Sequence, residues 1–216
     1  MNFLNFRNRL ITGLALLFLL IMMFISDFFF LYVLIVFSVF SIIEFFNINK
    51  KITKNNIIQL FINILFIIFI LSISALFFLF SSMIQLKIIL FILLLGCIAS
   101  DIGGFIIGKI FKGPKLTSIS PNKTLSGALG SLIFSMTIIT SLIYYYVEII
   151  NIKIFLLAVI TSLSCQLGDL FFSLLKRKAN LKDTGNLLPG HGGVLDRLDG
   201  ILFGLPVGFI SFMLIY

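Results

Sequence analysis

Long apolar runs with short polar breaks between them follow one another along almost the whole chain. A helix needs about 20 apolar residues to cross a hydrocarbon layer roughly 30 Å thick. The pattern predicts seven transmembrane helices, near residues 10–26, 28–46, 57–81, 86–110, 125–146, 153–176 and 199–216. Serines in the third run and glycines in the fourth could divide those helices, so eight or nine crossings stay open. The expected fold class is an all-α, polytopic integral membrane protein.

The composition agrees with this pattern. Of the 216 residues, 60% are hydrophobic and only 11% are charged, and the mean hydropathy is +1.22. A chain with so few polar residues cannot cover a water-soluble globule. The composition therefore excludes soluble enzymes and soluble binding modules.

The basic residues indicate the orientation in the membrane, since short cytoplasmic loops are rich in Lys and Arg. With seven crossings, 14 of the 16 Lys and Arg residues share a side with the N-terminus, and only Lys87 and Lys153 lie opposite. This predicts a cytoplasmic N-terminus and places the net charge of +8 against anionic membrane lipid. Nucleic acid is not an expected partner, because no aromatic platform or nucleic-acid motif accompanies the basic residues.

Charged residues are distributed unevenly between two parts of the chain. Residues 1–99 are interpreted as membrane scaffold, in which Asp27 and Glu44 are expected near the interfaces without a catalytic role. Residues 100–216 are interpreted as the catalytic membrane domain, with cytoplasmic loops at 111–124 and 177–198. Ser173–Gly200 alone holds eight of the 24 charged residues and the single histidine.

The helix predicted at 153–176 carries a polar stripe. Its polar residues recur at spacings of three and four, which places them on one helix face: Ser162, Gln166, Asp169, Ser173, Lys176 and Arg177. A carboxylate within a span costs about 2.5 to 3.5 kcal/mol on insertion scales unless a cation or a water cavity compensates. The stripe therefore predicts a functional site.

The loop after this helix is rich in glycine and could bring Asp196 over the inner end of the Asp169 helix. Two carboxylates so placed suit Mg²⁺, with water and phosphate oxygens as its other ligands. The number of cations stays open. His191 could orient substrate, transfer a proton or serve the structure, and Asp183 and Asp199 could fix Lys182 and Arg197.

Two further segments carry candidate chemistry. Asp101 lies beside a glycine pair inside an apolar run, where it could serve function or bond to a packing neighbour. The loop before residue 125 offers Ser120, Lys123 and Thr124 to a phosphate, although a flexible cytoplasmic linker would explain the same composition.

These motifs resemble a known family. The run S-x-x-K-R-x4-K-D-x-G-x2-L-P-x-H-G-G-x2-D-R-x-D from Ser173 to Asp199, with DIGGFIIGKIF at 101–111 and SPNKT at 120–124, is similar to the signature of phosphatidate cytidylyltransferases. The likeness covers roughly the C-terminal half. It departs from the usual pattern at Leu125 and Ser126, where the family typically has an aromatic residue and Glu, and in a reduced N-terminal region.

The resemblance implies Mg²⁺-dependent transfer of CMP from CTP to phosphatidic acid, which yields CDP-diacylglycerol and pyrophosphate for phospholipid biosynthesis. It implies that Asp169 and Asp196 bind the metal and act in catalysis with Lys176 and Arg177. The expected substrate-binding residues are Asp101, Ser120, Lys123, Thr124, Ser173, Lys182, Asp183, His191, Gly192, Gly193, Arg197 and Asp199.

The expected location is a bacterial-type inner membrane with the active site facing the cytoplasm, where membrane lipid and CTP can both reach it. A homodimer is left open, because Gly127, Gly130 and Ser131 could pack helices within or between chains. Two other functions are also open. One is a transporter or flippase of a phosphorylated lipid or anion. The other is a lipid phosphotransferase resembling a polyprenol kinase.

Overall fold

The computed structural model describes residues 3–117, 120, 123–185, 187 and 192–216, with side chains from residue 11 onward. The helices in this part of the chain are α1 (Phe3–Ile25), α2 (Asp27–Ile52), α3 (Asn56–Ser81), α4 (Ile84–Phe111), α5 (Leu125–Val147), α6 (Ile152–Lys178), α7 (Leu195–Leu198) and α8 (Ile201–Ile215). The described residues form no strand, only an isolated bridge between Lys115 and Thr124. The all-α fold class is confirmed.

The seven long helices match the seven predicted spans. Within the described residues, six candidate spans are long and apolar enough to cross a membrane, and α1 adds a shorter apolar stretch at Ile11–Ile25. Both helices that could have been divided are continuous, α3 through its serines and α4 through its glycines. In α3, Ser72 donates its hydroxyl to the Phe69 carbonyl 2.9 Å away, so the serine is satisfied without a break. The protein is thus a polytopic helical membrane protein.

The chain forms two compact units, residues 1–87 with 175–198 and residues 88–174 with 199–216. In the first unit, α2 and α3 form a hairpin with polar links inside an apolar interface. Asn49 donates to the Gln59 carbonyl at 3.1 Å and to Asn63 Oδ1 at 2.7 Å. Lys87, whose side chain is 5% exposed, lies 2.6 Å from Asp27 Oδ1. The predicted division into scaffold and catalytic parts stays a prediction, since packing does not reveal which residues act.

In the second unit, glycines allow α4 and α5 to approach closely. A Cβ atom at Gly103 would lie 2.6 Å from the Gly130 carbonyl oxygen, and one at Gly130 would lie 2.7 Å from the Gly103 carbonyl oxygen. Gly127 would meet the Gly104 carbonyl oxygen at 2.9 Å in the same way. The small residues of α5 therefore pack within the chain, as in other membrane helix pairs with small residues at the contact.

Replacing Gly130 with leucine should destabilise the protein, because the added side chain would meet backbone and Ile107 at once. Overpacking of this kind costs about 1–3 kcal/mol or more. We expect a lower thermal unfolding temperature in detergent. Gly13→Leu is the matched control, since nothing lies within 4 Å of a Cβ atom at Gly13. Equal stability of the two variants would contradict the close α4–α5 contact.

Candidate active site

The polar stripe of α6 faces α4 and α5 within the second unit. Ser162 Oγ lies 3.1 Å from Ser100 Oγ, and both serines are buried. Gln166 donates to the Ala128 carbonyl and to Ser162 Oγ, each at 3.3 Å. The stripe predicted from helical spacing is thus confirmed for these residues.

Asp169 extends the stripe and forms an ion pair. Its Oδ2 lies 2.5 Å from Lys123 Nζ, and the two side chains are 31% and 24% exposed. Lys123 directly precedes Thr124, whose hydroxyl caps α5 by accepting the Gly127 N–H at 3.1 Å. The start of α5 therefore fixes the position of the lysine that neutralises Asp169.

The segment before α5 folds back on itself. Leu116 N donates to the Lys123 carbonyl at 2.8 Å, and Leu125 N donates to the Pro114 carbonyl at 3.0 Å. Ser120 contributes its carbonyl, which accepts the Lys123 N–H at 3.0 Å. The described residues of this segment are thus joined by backbone hydrogen bonds, and its binding of a phosphate stays a prediction.

Ser126 closes this turn. Its hydroxyl donates to the Lys112 carbonyl and lies 3.0 Å from Thr124 Oγ1. Lys112 has a φ of 52° and Gly113 a φ of 103°, so the chain reverses sharply where α4 ends. Ser126, which stands where the family typically has glutamate, therefore binds the backbone of the turn through its small hydroxyl group.

Asp196 forms the second ion pair, in the first unit. Its Oδ1 accepts from Lys176 Nζ at 2.8 Å, and the two side chains are only 6% and 12% exposed. Its Oδ2 accepts the backbone N–H groups of Thr184 at 2.8 Å and Gly193 at 3.0 Å. Gly192 has a φ of 84°, and a Cβ atom there would lie 2.8 Å from Asp196 Oδ2. Of the predicted substrate residues, Gly192 thus makes room for this carboxylate and Gly193 donates a hydrogen bond to it.

The other candidates have different surroundings. Arg177, Lys182, Asp183 and Arg197 are exposed, and Ser173 is half-buried. Asp199 is buried and accepts the Gly200 N–H at 3.0 Å, whereas Asp101 is exposed with its Oδ1 3.8 Å from Cys165 Sγ. His191 lies outside the described residues. Asp169 and Asp196 belong to different units, so their joint metal site stays a prediction.

Sequence reasoning missed Glu44. Its side chain is 3% exposed. It accepts hydrogen bonds from Thr184, Val194 and Leu195, which belong to the charged loop between α6 and α7 and to the first residue of α7. The available signal was a carboxylate inside an otherwise apolar helix, the only acidic residue between Asp27 and Asp101. Its partners lie about 140 to 150 positions away in the chain, so local spacing could not identify them.

The fold is that of a polytopic helical membrane protein. Its candidate site contains two ion pairs between a lysine and an aspartate, Lys123–Asp169 and Lys176–Asp196. The sequence profile of the cytidylyltransferase family matches residues 5–215. The chain therefore belongs to the cytidylyltransferase family.

Several relatives share substantial identity with the chain. A phosphatidate cytidylyltransferase from Rickettsia typhi is 43% identical over 130 residues, which is 56% of this chain and 57% of the relative. Those from Mycobacterium leprae and Helicobacter pylori are each 42% identical to this chain, and each match covers 52% of it. The match covers 36% of the Mycobacterium leprae protein and 42% of the Helicobacter pylori protein. The chain thus matches about half the length of these relatives, or less.

Proposed function

We propose that the protein transfers CMP from CTP to phosphatidic acid, forming CDP-diacylglycerol and pyrophosphate for phospholipid biosynthesis. The observation that carries the proposal is the Lys176–Asp196 pair, which lies in the segment resembling the family signature. Membership of the cytidylyltransferase family and relatives called phosphatidate cytidylyltransferase support it. The transporter alternative is not favoured, because neither the family nor these relatives are described as transporters.

The reaction requires positive charge more than a general base. A phosphate monoester has a second pKa of about 6, so the attacking oxygen of phosphatidic acid is largely ionised at neutral pH. That oxygen forms a bond to the α-phosphorus of CTP, and the bond from this phosphorus to the bridging oxygen of the β-phosphate breaks. Pyrophosphate leaves with the bonding electrons. The barrier is mainly electrostatic, since two polyanions must meet.

The carboxylates suit a hard cation. Carboxylate oxygen is a preferred ligand of Mg²⁺, which proteins usually hold through one or two carboxylates together with substrate phosphates. In the structure each of these carboxylates already binds a positive group, Asp169 the ammonium of Lys123 and Asp196 the ammonium of Lys176. We assign these two carboxylates to Mg²⁺, with the number of cations open. When bound, the ion would neutralise charge on the triphosphate and on the leaving group.

The lysines then gain a second role. If Asp169 and Asp196 exchange their ammonium partners for a metal ion, the ammonium groups of Lys123 and Lys176 can turn to phosphate oxygens. Arg177, Lys182 and Arg197 are exposed and would add further cationic contacts. The remaining substrate-binding assignments stay as proposals for these residues: Asp101, Ser120, Thr124, Ser173, Asp183, His191, Gly192, Gly193 and Asp199.

The location follows from the charge pattern and the substrates. The protein is an integral membrane protein, and the relatives are bacterial, which indicates the inner membrane. The excess of basic residues on one side supports a site facing the cytoplasm, where CTP is available. A homodimer gains no support from Gly127 and Gly130, since they pack against α4 within the chain.

Pyrophosphate release by the detergent-purified protein tests the proposal directly. We expect release only when CTP, phosphatidic acid and Mg²⁺ are all present, and little release when ATP replaces CTP. A lipid kinase would instead release CDP, and a transporter would release neither product. Absence of pyrophosphate from folded protein in the complete mixture would overturn the assignment.

A further inference from the structure

Glu44 is a buried carboxylate to which neither the sequence signature nor the proposed chemistry assigns a role. It lies on α2, eight residues before the end of that helix at Ile52, and its side chain is 3% exposed. An ionised carboxylate is costly to bury unless hydrogen bonds or opposite charge compensate it. Its partners should therefore explain why it is there.

Three donors from the charged loop converge on this carboxylate. Oε2 accepts the Thr184 hydroxyl at 2.6 Å and the Leu195 N–H at 2.8 Å. Oε1 accepts the Val194 N–H at 2.9 Å. Among the described residues Glu44 is in no ion pair, so N–H and O–H dipoles compensate its charge. Such hydrogen bonds to an ionised acceptor are roughly twice as strong as neutral ones.

The same loop residues hold Asp196. Thr184 donates its hydroxyl to Glu44 and its backbone N–H to Asp196 Oδ2, at 2.6 and 2.8 Å. Gly193 donates to Asp196 Oδ2 and directly precedes Val194, which donates to Glu44. The two carboxylates thus share Thr184 as a donor and accept from neighbouring backbone N–H groups at 193–195, so fixing these residues on Glu44 also fixes Asp196.

The glycines of the loop make this arrangement possible. A Cβ atom at Gly185 would lie 2.7 Å from Glu44 Oε1, and one at Gly193 would collide with Thr184 Oγ1 and with both Glu44 oxygens. With contacts this short, either the loop or the Glu44 and Thr184 side chains would have to shift, which would break the hydrogen bonds between them. Glycine at both positions is therefore explained by the close approach of the Glu44 carboxylate.

We propose that Glu44 is a positioning residue that fixes the loop carrying Asp196 and thereby sets the affinity of the site for its divalent cation. This proposal has two parts, the ordering of the loop and the affinity for the cation, and only the second part rests on the proposed function. The first part, that Glu44 orders Thr184, Val194 and Leu195, can be measured without any substrate or metal ion.

Glu44→Gln is the sharpest variant because it preserves shape and removes one acceptor. Each Glu44 oxygen accepts a backbone N–H, so the amide NH₂ of glutamine must face either Val194 N–H or Leu195 N–H in both of its orientations. A residue that merely filled space would tolerate this change. Thr184→Val and Thr184→Ser form a milder pair, since the first removes the hydroxyl donor and the second keeps it.

Hydrogen–deuterium exchange of the metal-free protein in detergent provides the readout that does not depend on activity. We expect the Val194 and Leu195 amides to exchange about tenfold faster in Glu44→Gln, because a charge-assisted bond is lost, while α5 amides stay unchanged. Thr184→Val should show a smaller increase and Thr184→Ser none. Unchanged exchange in both Glu44→Gln and Thr184→Val would overturn the ordering role.

The Mg²⁺ concentration for half-maximal pyrophosphate release tests the second part. We expect it to rise about tenfold in Glu44→Gln, the range typical when a group that orients a metal ligand is changed. Faster exchange with an unchanged Mg²⁺ requirement would overturn the link to the cation but keep the ordering role. An inactive wild type would refute the proposed function and leave the exchange result valid. If Glu44→Gln does not fold, the Thr184 pair decides both parts.

Discussion

Asp169→Asn and Asp196→Asn should each lower CTP-dependent pyrophosphate release by about 100-fold or more. Residues that only orient a metal ligand typically cost 10- to 100-fold when changed, so loss of a ligand should cost at least the upper value. Asparagine keeps the size of the side chain but removes the negative charge that binds a hard cation. Initial rates at saturating CTP and Mg²⁺, measured on equal amounts of monodisperse protein, test this expectation.

Glu148→Gln serves as the control for loss of one negative charge. Glu148 is exposed at the C-terminal end of α5, the opposite end from Thr124 and Lys123, and should retain full activity. Full activity of either aspartate variant would remove that residue from the proposed metal site. Equal loss in all three variants would indicate a general effect of net charge.

Lys176→Met should strongly destabilise the protein, because it removes the cation of a nearly buried ion pair. Asp196 is only 6% exposed, and removal of its lysine leaves a buried carboxylate without its cation. Breaking a buried ion pair in this way typically costs about 3–5 kcal/mol. We expect a clear fall in the thermal unfolding temperature, together with loss of activity. Lys178→Met, an exposed lysine two residues further along α6, should change neither property strongly.

A double variant separates charge from packing. Lys176→Met combined with Asp196→Asn removes both charges, so part of the lost stability should return while the protein stays inactive. If the double variant is no more stable than Lys176→Met, the lysine stabilises the loop through its aliphatic chain, and the ion pair is not the cause.

The helices were predictable because each crossing requires an apolar run of nearly fixed length. Their ends were less so. The apolar pattern predicts that the second span ends near residue 46, yet α2 continues to Ile52. The extra residues include Asn49, which bonds to Gln59 and Asn63 of α3 and gives a polar stretch a reason to stay helical. Hydropathy does not register such bonds.

The candidate site was predictable as a set of residues but not as a geometry. Helical spacing correctly placed Ser162, Gln166 and Asp169 on one face, because that relation is local. The pairing of Asp169 with Lys123 joins residues 46 positions apart, and no local pattern encodes it. Lys123 was expected to bind substrate and Lys176 to act in catalysis; the structure adds that each lysine pairs with a carboxylate, and the two expected roles stay predictions.

The contact of Glu44 with Thr184, Val194 and Leu195 limits how much of the N-terminal half can be removed from this chain. Residues 1–99 carry few charged side chains, but α2 supplies the Glu44 carboxylate that accepts hydrogen bonds from Thr184, Val194 and Leu195. Removal of α1 would delete none of the residues in this contact, whereas a fragment that starts beyond Ile52 would lack Glu44. The smallest active fragment should therefore retain α2, however far the rest of the N-terminal half is reduced.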